Sequence, residues 1–285
     1  MMIKTITQAD EVVDFAWELA RCVPRASYPR VEGREELKRN VDRAIRSERE
    51  EVIACYHEDV LCGICIYFWD NNQYAQTTQF LIPEHQYEVV AEKLIQHIAT
   101  KLHGYQLLIG VPKANAMAIR YLQERGFECI ESSFDTRLYD LKQPMELQDA
   151  CIEEITRATF GEYATFHDKH AVPNEMYYHS ANLRKDLPRF RVLAFRQDKQ
   201  IHGSIFAKIS QDGAEVFGLF IDADHKQSGI EGALLHAMLQ RLHNELGSVR
   251  EIVYFIEEDS IDELNAALAA GFQVKDNYRC YRYAL

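Results

Sequence analysis

The feature that most constrains the fold is an internal repeat. Three short markers recur in the same order about 140 to 150 residues later, and the pairs are Ile6 and Ile155, Gly63 and Gly203, and Gly126 and Gly271. A solenoid needs more than two stacked copies to bury its core, so the repeat predicts a duplicated globular domain. The length of 285 residues suits two domains of about 140 residues each.

Each half carries the same order of predicted elements. Two helical patterns are followed by a two-stranded hairpin, a third strand, a helix, a strand, a helix and a final strand, which predicts a mixed α/β fold with a βαβ crossover. The helical patterns span 10–22, 34–49, 87–102 and 116–125 in the first half, and 159–169, 177–186, 230–246 and 262–270 in the second. A polar stretch with Pro144 places the boundary between domains 1–143 and 144–285.

A turn in the second half has the form of a phosphate site. The apolar run 216–221 leads into the segment 226–233, which contains Gly229 and Gly232, and a helical pattern follows at once. A strand, a glycine-bearing turn and a helix together place unpaired backbone N–H groups at the positive end of a helix dipole. The glycine spacing is neither the dinucleotide nor the Walker pattern. The alternative is a connection in which the glycines only relax the turn.

This turn resembles the pyrophosphate loop of the GNAT acetyltransferases, whose pattern is Arg/Gln-x-x-Gly-x-Gly/Ala. Lys226 stands at the first position and Gly229 at the glycine, whereas Glu231 occupies the second small position and Gly232 follows one residue later. A carboxylate beside a diphosphate is unfavourable unless it points away. The departure at Glu231 therefore leaves the competence of the loop open.

A second GNAT signature lies in the first half, where Asn115 and Ala118 precede Gly126 and Phe127 at the family spacing. Its alternative is an amphipathic helix with an N-cap and a glycine stop. Together with the element order, the resemblance covers most of the chain and implies two tandem GNAT domains.

The resemblance implies that acetyl-CoA is a co-substrate held by the second domain, without a metal. A splayed strand would pair with the pantetheine arm, and the loop would face the diphosphate. The implied cofactor-binding residues are Leu219, Phe220, Ile221, Lys226, Gln227, Ser228, Gly229, Ile230, Glu231 and Gly232. The first half has Gln86 opposite Gly229, with no glycine and two carboxylates around it, so we expect domain 1–143 to be degenerate and to lack the loop.

Direct transfer to an amine needs a base and an acid. The resemblance implies Glu215, at the head of the splayed strand, as the base, and Tyr281, on the last strand, is the candidate acid. The position that often carries the acidic tyrosine in the family holds Leu122 in the first half and Ala267 in the second. Other candidates near the same cleft are Glu257, Glu258 and Tyr283.

Composition limits the partners. The formal net charge of −12 and the lack of a basic cluster argue against nucleic-acid binding. The sequence has no signal-peptide core at its start and no apolar run near the ~18 residues of a membrane span. Seven scattered cysteines indicate a reducing cytoplasm, and neither they nor the histidines have metal-ligand spacing.

Three functions follow in order of preference. The first is an N-acetyltransferase acting on an amine of a small molecule, amino acid or peptide, as a monomer or homodimer. The second is a non-catalytic CoA-binding or regulatory module on a decayed acetyltransferase scaffold. The third, a nucleotide-phosphate site unrelated to CoA, would need a carboxylate about 20 residues beyond the loop, and Glu251 lies near that place.

Overall fold

The structure is a computed structural model that describes residues 1–142, 151–210, 213–226, 228–247 and 249–285. The chain forms two compact units. Unit 1 contains Met1–Ser133 and Asp276–Leu285, and unit 2 contains Phe134–Lys275. The boundary that the sequence suggested, between residues 143 and 144, lies outside the described residues.

Unit 1 begins with antiparallel strands and continues with a βαβ crossover. Its strands are β1 (Met2–Thr5), β2 (Glu50–His57), β3 (Val60–Trp69), β4 (Tyr74–Leu81) and β5 (Gln106–Pro112), and its helices are α1 (Val13–Ala20), α2 (Arg34–Arg46), α3 (Tyr87–Lys101) and α4 (Ala116–Glu124). Strand β6 (Glu128–Tyr139) begins in unit 1 and ends in unit 2. The strand order is β1-β2-β3-β4-β5, and the last strand of the chain, β12 (Gln273–Ala284), pairs with β5.

Unit 2 repeats this plan. Its strands are β7 (Ile152–Glu154), β8 (Phe190–Gln197), β9 (Gln200–Ile209), β10 (Gly213–Ile221) and β11 (Glu251–Glu257), and its helices are α5 (Phe160–Ala171), α6 (Ser180–Asp186), α7 (Ile230–Leu246) and α8 (Ile261–Ala269). The strand order is β6-β11-β10-β9-β8-β7. The mixed α/β fold and the repeated element order predicted from the sequence are confirmed.

The two sequence halves exchange their last strands. Residues 278–284 of β12 pair with β5 of unit 1, antiparallel from Tyr278 opposite Pro112 to Ala284 opposite Gln106. The end of β6 belongs to unit 2, where the Thr136 hydroxyl donates to the carbonyl of Tyr254 at 2.7 Å. Each unit is therefore completed by the final strand of the other half, which the repeat alone did not indicate.

Helices cover both faces of the sheet in each unit. In unit 2, α7 and α8 bury one face against an aliphatic core, while α5 and α6 bury the other face against an aromatic one. In unit 1, α3 and α4 take the first face and α1 and α2 the second. Successive residues of a strand point to opposite faces of the sheet. A strand residue that packs beneath one pair of helices therefore has sequence neighbours that face the other pair.

Two strands escaped the sequence prediction. β1 and β7 are the first strands of their halves and pair antiparallel with β2 and β8. They have four and three residues and no apolar alternation, so they give no strand signal. Among the described residues, no helix is long and apolar enough to cross a membrane.

Candidate functional site

Both units contain a gap between two parallel strands. In unit 2, β10 and β11 pair from Gly213 opposite Glu251 to Val216 opposite Tyr254. Within the described residues they share no further register pair, although β10 continues along β9 to Ile221. The second half of β10 therefore keeps one backbone edge turned toward the gap.

A β-bulge stands where the gap begins. The register between β10 and β9 shifts between Val216 and Gly218, and a matching shift in unit 1 leaves Thr78 of β4 as the extra residue. Bulges re-aim a strand and are common beside functional sites. Glu215 is the last residue but one before the shift and lies opposite Lys208 of β9. Its counterpart in unit 1 is Gln76, which cannot act as a base.

Glu215 lies on the sheet face that α5 and α6 cover. Its neighbours Ala214 and Val216 belong to the core beneath α7, so Glu215 points to the other side. There the ammonium of Lys208 lies over the rings of Tyr178, Phe190 and Phe217, and donates to the Tyr178 hydroxyl at 2.6 Å. The candidate base therefore adjoins an aromatic surface that carries one cation.

The loop after β10 ends at a helix N-terminus. Gly229 is the N-cap of α7 with φ +84°, a left-handed conformation that favours glycine. The Ser228 hydroxyl donates to the carbonyl of His225 at 2.5 Å and closes the preceding turn. The first turn of an α-helix leaves its N–H groups without intrahelical partners, so the 17-residue α7 presents them at the end of the gap. Lys226 is exposed beside them, and Gln227 lies outside the described residues.

A cluster of charged side chains fixes the end of β10. Asp222 accepts from Lys169 at 2.7 Å and lies 3.5 Å from His170 and 3.4 Å from His202. Burial would raise the pKa of Asp222, but the hydrogen bond and charge of Lys169 and contacts with the two histidines lower it. His225 stacks on His202 with ring centroids 3.9 Å apart. Side-chain contacts therefore hold the start of the loop against α5 and β9.

Unit 1 differs in both parts of the site. Its helix α3 follows Gln86 directly, so the unit has no equivalent of the loop at 226–229. Its strand gap is bridged by the chain itself: the N–H of Tyr28 donates to the carbonyl of Gly110 on β5 at 2.9 Å. From the β4 side, the Gln79 amide donates to the carbonyl of Pro29 at 2.9 Å.

The second GNAT signature has a structural role in unit 1. The side-chain oxygen of Asn115 caps α4 by accepting from the N–H of Ala118 at 3.1 Å, and its amide donates to the carbonyl of Ala26 at 2.9 Å. Asn115 thereby holds the segment that bridges the gap. Its counterpart at the start of α8 is Ser260, which makes no side-chain cap hydrogen bond.

Tyr281 lies in unit 1, whereas Glu215 lies in unit 2. Strand exchange places Tyr281 in unit 1, opposite Ile109 of β5, where it is 1% exposed within the core beneath α3 and α4. Burial raises its pKa. Tyr283 also lies in unit 1 and stacks on Phe127. The acid chosen from the sequence therefore belongs to a different unit from the base, because the halves exchange their last strands.

A polar pair that the sequence analysis missed lies beside the gap. Tyr254, the last β11 residue paired with β10, is fully buried, and its hydroxyl donates to the Glu263 carboxylate in the first turn of α8. Burial raises the pKa of Glu263 to about 7, with further raising by Glu257 and Glu231. Glu231 is only 8% exposed, so this carboxyl of the loop is turned into the protein near Glu263. Within the described residues no group of three or more His, Cys, Asp or Glu is placed to hold a metal ion.

Comparisons with known proteins bear on the fold. No family model and no curated protein matches the sequence. Among solved structures, a GCN5-related N-acetyltransferase from Sphaerobacter thermophilus superposes with a TM-score of 0.63 at 12% identity, over 99% of this chain and 95% of its own. A tandem GNAT protein from the clavulanic acid biosynthesis pathway gives 0.56 at 14% identity, over 99% and 98%. A GCN5-related N-acetyltransferase from Kribbella flavida gives 0.54 at 15% identity, over 84% and 90%.

These similarities extend along nearly the whole chain, although the identities are too low to carry a substrate or an activity across. The repeated element order agrees with the tandem GNAT protein among them. The chain has the fold of the GNAT N-acetyltransferases.

Proposed function

We propose that this chain is an acyl-CoA-dependent N-acyltransferase that binds one acyl-CoA, in the first instance acetyl-CoA, in unit 2. The acceptor is an amine of a small molecule, an amino acid or a peptide. One observation carries the proposal: unit 2 combines an open strand gap, a glycine N-cap and a helix N-terminus along one path. In unit 1 the gap is bridged by Tyr28, and helix α3 begins without the loop.

Each part of an acyl-CoA has a partner of matching chemistry along this path. The backbone edge of Leu219, Phe220 and Ile221 offers hydrogen bonds to the amides of the pantetheine arm, as one β-strand does to another. The N–H groups of residues 229–232 and the dipole of α7 favour the diphosphate, and Lys226 adds a positive charge. The buried side chain of Glu231 leaves the backbone of the first turn accessible.

The thioester would then lie near the start of the gap, next to the bulge. Glu215 is the proposed base, because it is the carboxylate nearest in sequence to the bulge on the face covered by α5 and α6. Accepting a proton from an ammonium acceptor makes its nitrogen nucleophilic. The acidic surface, with a net charge of −12, favours the approach of a cationic amine.

A second candidate is a non-catalytic CoA-binding or regulatory module. Ser260 and Ala267 favour it, since they replace the asparagine and tyrosine of the family pattern. It predicts acyl-CoA binding without transfer. The two candidates therefore predict the same acyl-CoA binding but different results for acyl transfer.

Isothermal titration with acetyl-CoA, CoA and longer acyl-CoAs tests the first step. We expect one site per chain at sub-millimolar affinity, and an unaffected heat trace with each ligand would overturn the proposal. Release of free thiol across a panel of amines, amino acids and peptides tests the second step. Binding without release in any of these would favour the regulatory module.

The remaining parts of the proposal concern partners and location. We propose a cytoplasmic protein that is monomeric or homodimeric and binds no nucleic acid. Light scattering with and without acetyl-CoA measures the oligomeric state. A filter-binding assay at low salt, where electrostatic binding is strongest, tests the nucleic-acid statement.

A further inference from the structure

The Tyr254–Glu263 pair lies at the point where β10 and β11 separate. Tyr254 forms the last register pair of the two strands with Val216, and its ring packs in the core beneath α7 and α8. Glu263 reaches the same place from the first turn of α8 and accepts the phenolic hydrogen bond. Glu263 as a residue is partly exposed, whereas its carboxyl lies in buried surroundings.

The two units differ sharply at these positions. Strands β5 and β11 have seven residues each and helices α4 and α8 nine each, so the residues correspond one to one. The three fully buried residues of unit 1 that match Tyr254, Glu263 and Ala267 are Ile109, Ala118 and Leu122. The contact is therefore entirely apolar in unit 1, whereas in unit 2 a tyrosine, a carboxyl and a small residue take the same three positions.

The polar residues of unit 2 lie next to the position at which the family pattern has a tyrosine. Glu263 and Ala267 are four residues apart on α8, so they share one face of the helix. The family tyrosine position is therefore occupied by the methyl group of Ala267, and a phenol enters the same core from β11 instead. A carboxyl in such surroundings is costly to keep ionised, and a carboxyl of this kind in a cleft is a candidate functional group.

We propose that Glu263 protonates the leaving thiolate of the acyl-CoA and that Tyr254 positions Glu263, a role that rests on the function proposed above. Glu215 takes the first proton of the ammonium acceptor and passes it to solvent, the neutral amine nitrogen bonds to the thioester carbonyl carbon, and the second proton then passes to Glu215. The carbon–sulfur bond then breaks, its electron pair goes to sulfur, and sulfur takes the proton of the Glu263 carboxyl. Glu263 is left as a carboxylate, which accepts the Tyr254 hydrogen bond and is reprotonated from solvent.

The sheet separates the two proton transfers. Glu215 lies on the face covered by α5 and α6, whereas Tyr254 and Glu263 lie on the face covered by α7 and α8. The gap lies between them. An acid and a base on opposite sides cannot neutralise each other by direct contact, which keeps one protonated while the other is ionised.

Among the described residues, several charged and titratable groups face Glu263. They are Tyr254 and Glu257 from β11, Glu231 from α7 and Lys226 from the loop. Burial is the main reason that the pKa of Glu263 rises to about 7, and the Tyr254 hydrogen bond lowers it from what it would otherwise be. A donor with a pKa near the working pH is close to optimal for general acid catalysis.

The test compares E263Q and Y254F with D262N, which removes an exposed carboxylate from the same turn of α8. Acetyl-CoA affinity is first measured by titration calorimetry for all four proteins. The rate of thiol release is then followed from pH 5.5 to 9 with an amine that the wild type accepts, or with water as acceptor. Two small donors are compared as well, an alkyl thioester (S-acetyl-N-acetylcysteamine) and an aryl thioester (p-nitrothiophenyl acetate), whose thiolate leaves without protonation.

We expect E263Q to bind acetyl-CoA as the wild type does but to lose roughly 10²–10⁴-fold in kcat. Its loss should be large with the alkyl thioester and small with the aryl thioester. Y254F should retain more activity, and the fall in its rate at high pH should move to higher pH, because the hydrogen bond that lowers the Glu263 pKa is gone. D262N should match the wild type.

Other outcomes separate the two proposals. If the wild type does not bind acyl-CoA, the proposed function itself is wrong. If it binds and releases no thiol with any acceptor, the chain is a binder and the acid role is overturned. Wild-type rates in E263Q, or equal losses with alkyl and aryl thioesters, would overturn the acid role while leaving the acyltransferase in place.

Discussion

Replacing Gly229 by alanine tests the loop in the most direct way. The residue has φ +84°, and a Cβ built on it meets no atom within 4 Å. The free protein therefore accommodates the methyl group, and the cost of G229A is backbone strain alone. A left-handed residue with a side chain costs about 1–2 kcal/mol, which corresponds to a fall in Tm of a few degrees for a unit of this size.

Ligand binding should suffer for a different reason. The open space next to Gly229 is where a diphosphate would contact the backbone of the α7 N-terminus, and glycine permits that close approach. A methyl group there holds the phosphate away from the N–H groups. We expect acetyl-CoA affinity to fall at least tenfold, which is about 1.4 kcal/mol.

Gly104 supplies a matched control. It has φ +83°, and its Cβ would also meet nothing within 4 Å, but it follows α3 in unit 1. Thermal unfolding of G104A and G229A should show similar losses, whereas calorimetry should show weaker acetyl-CoA binding in G229A alone. Wild-type affinity in G229A would refute the phosphate role of the loop. Equal losses of affinity in both variants would attribute the effect to stability.

Three further predictions concern the rest of the chain. The variant G110A should destabilise unit 1 by about 1–3 kcal/mol in urea unfolding, because its Cβ would lie 2.9 Å from both Tyr28 and Tyr278, and acetyl-CoA binding should persist. Stability should fall as pH drops below about 6.5, since burial lowers the pKa of His167 and the unfolded chain then binds more protons, and H167Q should flatten that fall between pH 7.5 and 5.5. Photo-crosslinking with an acyl-CoA analogue should label peptides of unit 2, and labelling of segment 26–29 would contradict the bridged gap.

Local signals explain what the sequence predicted well. Alternating apolar residues defined the hairpins, helical periodicity defined α3 and α7, and the glycines after α4 and α8 marked their ends. The N-cap position of Gly229 and the absence of its loop before α3 were also predictable, because both depend on residues close in sequence. The cofactor-binding roles of residues 219–221 and 226–232 stay predictions.

Non-local pairing explains what was not predicted. β6 and β12 have nearly the same burial pattern, so nothing in either strand tells which half it completes, and Tyr281, which follows unit 2 in sequence, lies in unit 1. The bridge from Tyr28 to Gly110 joins residues 82 positions apart and leaves no local pattern. The Tyr254–Glu263 pair could have been noticed by comparing the halves position by position, since Ile109 and Ala118 are its apolar counterparts.

Replacing Tyr254, Glu263 and Ala267 together exchanges the whole polar contact of unit 2 for the apolar contact of unit 1. The triple variant Y254I/E263A/A267L gives unit 2 the residues of unit 1, and the larger leucine compensates for the smaller isoleucine. Replacing both partners of a buried hydrogen bond by apolar groups of matching shape can be nearly neutral or stabilising. We expect the free energy of unfolding to be kept or raised, acetyl-CoA binding to persist and thiol release to be lost.

The single variant E263A is the informative comparison. It removes the acceptor of a fully buried tyrosine hydroxyl, so it should cost about 1–3 kcal/mol and be less stable than the triple variant. Urea unfolding measures both, and titration with acetyl-CoA checks the site. If the triple variant were several kcal/mol less stable than the wild type, the Tyr254–Glu263 pair would be needed for packing of the core rather than for chemistry. A triple variant that is stable, binds acetyl-CoA and transfers nothing would mean that unit 2 keeps the polar pair for chemistry, at a cost in stability that unit 1 does not bear.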